Sequence, residues 1–168
     1  GYGPRAGNFT VQNADLVIAL GTRLSQNLTG GILSSFARTA TIAMVDADEH
    51  ELSKFDGRGI DVQIRVKARL TDFFAALRPQ LTAWESPGWP VWKYKIHHWL
   101  QAFPPDASPR AQTDHAYVGA PEFVRELSRV LPEGALLYVD TGGNLTWTCN
   151  GLAPKRGQSV HSAWNNTP

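Results

Sequence analysis

Cysteine is almost absent: Cys149 is the single thiol in 168 residues. One thiol excludes an intramolecular disulfide and a cysteine-rich zinc site, and it fits a reducing, cytoplasmic compartment. Neither sign of charge is in surplus. Sixteen Lys and Arg stand against fifteen Asp and Glu, a net charge of +1. That balance gives no electrostatic argument for nucleic acid or for an acidic membrane surface. No apolar run approaches the ~20 residues that span a bilayer, and no basic-then-apolar N-terminus of the secretory kind opens the chain. A Gly-x-Gly-x-x-Gly after a first strand is missing too, which removes the usual nicotinamide fingerprint. The chain has no initial Met. It begins in what reads as a loop, GYGPRAGNF, and stops just after WNNTP. Both ends read as cut from something longer.

What is present falls into three zones. Residues 1–82 alternate apolar runs with helical patterns. DLVIALG and ATIAMVDAD are short runs bounded by turn or polar residues, and they read as buried parallel strands. DVQIRVKA alternates more weakly and reads as a strand nearer an edge. TGGILSSFART between the first two suits a short helix or turn. Leu70, Phe73, Phe74 and Leu77 recur at the spacing of one helix face. This order predicts an α/β fold with a Rossmann-like parallel sheet.

Residues 83–116 read as a Pro-rich linker, punctuated by ESPGWP and FPPDASPRAQ. Between these, VWKYKIHHWL predicts a docked helix carrying Trp92, Ile96, Trp99 and Leu100. Its aromatics could stack on single-stranded nucleic acid, but no basic stripe accompanies them. His97 and His98 are adjacent, so a helix points them about 100° apart, too far for joint metal ligation.

Residues 117–168 restart the α/β pattern. APEFVRELSRVLPEG predicts a helix with Pro121 in its first turn and a stripe of Phe123, Leu127, Val130 and Leu131. ALLYVDTGG reads as a buried strand, NLTWTCNGL as a helix starting at or just after Asn144, and QSVHSAW as the next strand. Parallel strands are therefore expected near 15–20, 41–46 and 135–140, the last in a separate sheet. A strand, a glycine turn and a helix N-terminus is how α/β folds build a diphosphate site. His161, on a strand, reads as a core or edge residue.

The order of these pieces resembles the thiamine-diphosphate-dependent enzymes, and within them the acetolactate-synthase-like large subunits. The resemblance is carried by Asn8, Ala14-Asp15, Gly21 with Arg23, Thr29-Gly30, Phe36-Ala37, Asp46 with Asp48, Glu51 and Lys54. These look like the second half of the family's central domain. GALLYVDTGGNLTW and QSVHSAWNNTP look like the start of its diphosphate-binding domain. The resemblance implies a piece of an enzyme that decarboxylates a 2-keto acid such as pyruvate and joins the product to a second carbonyl. A 2-keto acid decarboxylase, or a non-catalytic Rossmann-like nucleotide-binding or interaction module, are the alternatives. It implies thiamine diphosphate and Mg2+ as cofactors, the latter held by a Gly-Asp-Gly...Asn motif that this sequence does not contain. The activating glutamate would likewise lie in a domain outside these residues, so the isolated chain is expected to be inactive. The parent is expected to be a homodimer or homotetramer.

Site residues follow by position. Thr141, Gly142, Gly143 and Asn144 match the family's diphosphate-contacting stretch. There Gly143 and Asn144 stand for a Gln and a His, and Asn144 could instead serve as a helix N-cap. Gly21, Thr22, Arg23, Asp46 and Asp48 match segments that line a flavin site in FAD-containing relatives. Ser25-Gln26-Asn27 and Ala68-Arg69 depart from the flavin pattern. Arg23 could equally pair with a nearby acid, and the acids of DADEHE could serve a helix N-terminus. Asn165 to Pro168 match a loop that reaches the thiazolium in relatives, and they depart from its small residues.

Overall fold

The computed structural model describes residues 3–104 and 118–163. The chain divides into two compact units, Gly1–Trp99 and Leu100–Pro168. In the first, α1 (Arg5–Gln12) leads to β1 (Leu16–Leu20), a short α2 (Gln26–Thr29), a 3-10 turn (Leu33–Ser35) and β2 (Thr41–Asp46). Then come α3 (Glu49–Ser53), β3 (Ile64–Lys67), α4 (Leu70–Gln80) and α5 (Pro90–Ala102), whose last turn passes into the second unit. The second unit continues with α6 (Ala120–Val130), β4 (Leu136–Val139), α7 (Gly143–Gly151) and β5 (Ser159–Ser162). The first sheet has order β1-β2-β3 and the second is the pair β4-β5, all neighbours parallel. The strands near 15–20, 41–46 and 135–140 are therefore present, with the last in its own sheet.

Alternation explains the first core. Successive strand residues face opposite ways, so Val17 and Ala19 share a face with Ile42 and Met44. That face packs against Leu24, Phe36, Leu52, Phe55, Ile60 and Val62. Leu24 and Ala37 sit at left-handed φ of 41° each although buried, a strain of about 1–3 kcal/mol apiece that the core packing holds.

Several expectations need correction. The loop expected over GYGPRAGNF does not extend past Pro4: α1 starts at Arg5, after Pro4 in extended N-cap geometry, and buries Ala6. Gly3, Pro4 and Gly7 hid it, because glycine and proline read as turn residues, although Pro is tolerated at a helix start. β1 is not buried on both faces. It is an edge strand, and Leu16 and Ile18 are 49% and 54% exposed. β4 also leaves Leu136 and Tyr138 exposed. On α4, Leu70, Phe73 and Leu77 are half-buried, whereas Phe74 points out and meets Phe73 edge-on at 5.5 Å. On α6 the buried residues are Val124 and Ser128, and Phe123 and Val130 are exposed. The contact face is selected by close approach to α7 rather than by apolar content. His161 is exposed on β5, an edge strand of the two-stranded sheet, and stacks on Tyr138 at 5.2 Å, so of core and edge it is the edge that holds. On α5, Trp92 and Trp99 meet edge-on at 5.8 Å, and Trp99 reaches Phe9 of α1 at 6.1 Å.

Two surface ion pairs tie the end of the first sheet. Arg65 donates to both carboxylate oxygens of Asp56, and Lys67 donates to Glu49 at 2.7 Å. The hydrogen bonds hold both carboxyls below their ordinary range. Unfolded, these groups titrate near pH 4. Their contribution is thus fully present above that pH and is lost as pH falls through the lower folded-state values. Glu49→Gln combined with Asp56→Asn is expected to flatten the loss of urea-unfolding stability between about pH 5 and 2. The effect is small, because exposed pairs are screened.

Ile18, Ala43 and Ile64 form one rung across the sheet, and Ile18 and Ile64 are both about half exposed. Together with Leu16 they leave an apolar strip beside the open β1 edge, a surface that associates. The purified 168-residue chain is expected to sediment as concentration-dependent oligomers, and Ile18→Lys to shift it toward monomer. A compact monomer for the unsubstituted chain would refute this.

Candidate functional site

Parallel strands end together, so both sheets collect polar groups at their carboxyl edges. At the first sheet, Gly21 takes φ +58° and donates its N–H to Val45 O at 2.8 Å. A Cβ there would lie 2.9 Å from Leu70 Cδ1, so glycine lets α4 close onto the strand end. Thr22 is half-buried and Arg23 exposed. The Arg23 carbonyl accepts from Lys54, whose ammonium also pairs with Glu51 at 2.6 Å. Asp46 Oδ1 accepts from Asp48 N–H at 2.9 Å, and Asp48 Oδ1 accepts from His50 N–H at 2.9 Å as the N-cap of α3. One oxygen of each acid therefore serves the backbone. Gly21, Thr22, Arg23, Asp46 and Asp48 do gather at one sheet edge, and two of the five are already used by the loop and the helix start.

At the second sheet, the turn from β4 into α7 is made by Asp140 to Gly143. Asp140 Oδ1 accepts from Thr141 N–H at 2.7 Å. Gly142 is the N-cap of α7, with φ 82° and ψ −146°, a conformation essentially confined to glycine. A Cβ on Gly142 would meet nothing within 4 Å, so the outer side of the turn is open. Gly143 is needed for a different reason: its Cβ would lie 3.0 Å from the Trp147 ring, one turn along the helix. Asn144 is not the N-cap. It lies inside the first turn of α7, because the left-handed glycine before it already ends the strand. The amides of Gly143, Asn144 and Leu145 belong to the first turn, where a helix has no internal acceptors for them. An open approach, free amides and the positive helix end together suit an anion such as a diphosphate.

α7 buries only Leu145 and Thr148. Its far end meets α6, where a Cβ on Gly151 would lie 3.2 Å from Val124 Cγ1. Reading the sequence missed Asp140, Trp147 and Ser128. Trp147 has a signal, a large ring four residues after a helix-start glycine. Ser128 has none, since a serine inside a helix pattern is taken as solvent-facing. Among the described residues no group of three His, Cys, Asp or Glu could hold a metal, and no helix is long and apolar enough to cross a membrane. Asn165 to Pro168 lie outside the described residues.

Residues 1–77 match the family described as thiamine pyrophosphate enzyme, central domain. The acetolactate synthase large subunit of Cyanidium caldarium is 25% identical over 162 residues, covering 96% of this chain and 27% of the relative. The acetolactate synthase isozyme 2 large subunit of Escherichia coli is 26% identical over 155 residues, covering 92% and 26%. A probable chloroplastic acetolactate synthase 2 of Oryza sativa is 37% identical over 82 residues, covering 49% and 12%. The chain spans about a quarter of the length of the first two relatives. It is similar to acetolactate synthase large subunits over most of its own length.

The two glycines predict different responses. Gly142→Val is expected to strain the turn by about 1–3 kcal/mol and to block anion approach with the sheet intact. Gly143→Ala is expected to displace the indole, and Gly143→Ala with Trp147→Ala to restore stability. Denaturant melts of the three variants check this; equal melting of the single and double variants at 143 would refute the packing role.

Proposed function

We propose that this acetolactate-synthase-like chain, with residues 1–77 matching the thiamine pyrophosphate enzyme central domain, is part of a thiamine-diphosphate-dependent enzyme acting on a 2-keto acid such as pyruvate. The reaction proposed is decarboxylation with carboligation, a transferase activity. The observation that supports it is the Gly142 turn: a glycine-only conformation, open on its outer side, at the N-terminus of α7. The residues fit the cofactor's diphosphate. The Gly143, Asn144 and Leu145 amides would donate to its oxygens, and the Thr141 hydroxyl, in the same turn, would add a further donor. The Asp140 carboxylate at the same turn favours a cation beside the diphosphate, as Mg2+ would supply. When bound, thiamine diphosphate supplies a ring that accepts the electron pair left as a 2-keto acid loses carbon dioxide. This chain's part is to hold the diphosphate and fix its direction. The proposal includes a cytoplasmic, homodimeric or homotetrameric parent. Protonation in place of carboligation would make the parent a decarboxylase, and product analysis separates the two. A flavin at the first sheet edge would rest on the exposed Arg23 guanidinium; visible absorbance of the purified parent tests it.

Turn amides alone hold a multiply charged ligand weakly in water. The 168-residue chain is expected to bind thiamine diphosphate with Mg2+ no better than about millimolar, roughly 4 kcal/mol, and to leave pyruvate unconsumed. The full-length protein is expected to consume pyruvate, and its Gly142→Val variant to lose that activity while keeping its circular dichroism. Titration calorimetry and a pyruvate assay check both. An unimpaired variant would put the diphosphate elsewhere.

A further inference from the structure

We infer that Ser128 is a positioning residue for the Gly142–Gly143 turn, acting at the opposite end of α7 without touching the ligand. The inference rests on the reading of that turn as the cofactor's diphosphate site.

Ser128 lies in the last turns of α6 and is 6% exposed. Its hydroxyl accepts from Ala153 N–H at 2.8 Å and donates to Ala153 O at 3.0 Å. One side chain thus binds both backbone groups of a single residue, two positions beyond the end of α7. That fixes the orientation of the peptide units there as well as their distance. The hold continues along the same segment. The Lys155 ammonium donates to Arg129 O and Leu131 O at 2.7 Å each, satisfying carbonyls at the C-terminus of α6. Gln158 accepts from Lys155 N–H at 2.8 Å and donates to Pro132 O at 2.6 Å. The chain leaving α7 is strapped to α6 and the residues just after it by three side chains, Ser128, Lys155 and Gln158.

A helix is a stiff rod. The nine residues of α7 span about 13 Å at 1.5 Å per residue. α7 lies against α6, with Leu145 and Thr148 its buried residues, and the Ser128 bonds close the far end of that contact. What fixes the far end therefore sets where the Gly143 end points, and a small displacement of the amides costs much of their alignment with an anion. Alanine at 128 removes both hydrogen bonds, each worth about 1 kcal/mol net. Threonine keeps the hydroxyl.

The test uses the full-length protein, wild type and Ser128→Ala, with Ser128→Thr as the conservative variant. Amide hydrogen exchange without cofactor is read at residues 146–149, the first amides bonded within α7, and titration calorimetry is run with thiamine diphosphate and Mg2+. Ser128→Ala is expected to speed exchange at 146–149 and to weaken cofactor affinity, each about tenfold. Ser128→Thr is expected to stay near wild type. Should Ser128→Ala not fold, Lys155→Met opens the strap from its exposed side and is expected to speed exchange at 146–149 in the same direction, by less. Faster exchange confined to residues 152–155, in whichever variant folds, would overturn the inference. A wild type that fails to bind thiamine diphosphate, while exchange at 146–149 still follows residue 128, would sink the diphosphate reading and leave the mechanical coupling standing.

Discussion

Parallel pairing is the constraint from which the rest follows. Two parallel strands cannot be joined by a tight turn, and each needs a crossover that returns the chain to its starting edge. Leu16 pairs with Thr41, Ala43 with Ile64 and Leu136 with Ser159, so every crossover carries helical or turn structure. The same constraint brings all strand ends to one edge. Gly21 and Asp46 finish neighbouring strands at one such edge, and Asp140 follows β4 at another.

The two edges differ in how far their polar groups are already occupied. At the first, Asp46 and Asp48 each give an oxygen to the backbone, Lys54 holds Glu51 and the Arg23 carbonyl, and Lys67 holds Glu49. This is a self-satisfied rim. At the second, Asp140 orders the turn, while the first amides of α7 have no acceptor within the helix and follow a glycine with open space beside it. A rim that has spent its donors is a structural device, and a rim that keeps them is suited to a ligand.

The strands and the α/β order were legible because a run such as LVIAL or TIAMVD has few alternatives once flanked by polar and turn residues. The turn at Gly142 was legible because a glycine pair after a strand and before a helix has a specific backbone use. Burial was not legible to the same degree. Leu16, Ile18 and Leu136 look like core by chemistry, and whether anything covers them is a tertiary fact. The face of α6 was misread because helix–helix approach chose Val124 and Ser128 over the more apolar Phe123 and Val130. α1 was missed because two glycines and a proline outweighed the pattern of Ala6, Phe9 and Val11. The cap role given to Asn144 fell to Gly142, whose positive φ no periodicity announces.

The adjacent glycines at the start of α7 are constrained by unrelated forces, and this has an evolutionary consequence. Gly142 is held by its own backbone angles, so no neighbouring replacement can release it, and it should stand alone as an invariant position. Gly143 is held by the Trp147 ring and has ordinary helical angles. It is free to become alanine wherever a lineage also carries a smaller residue at 147. Drift at 143 and 147 is therefore coupled, and drift at 142 is closed.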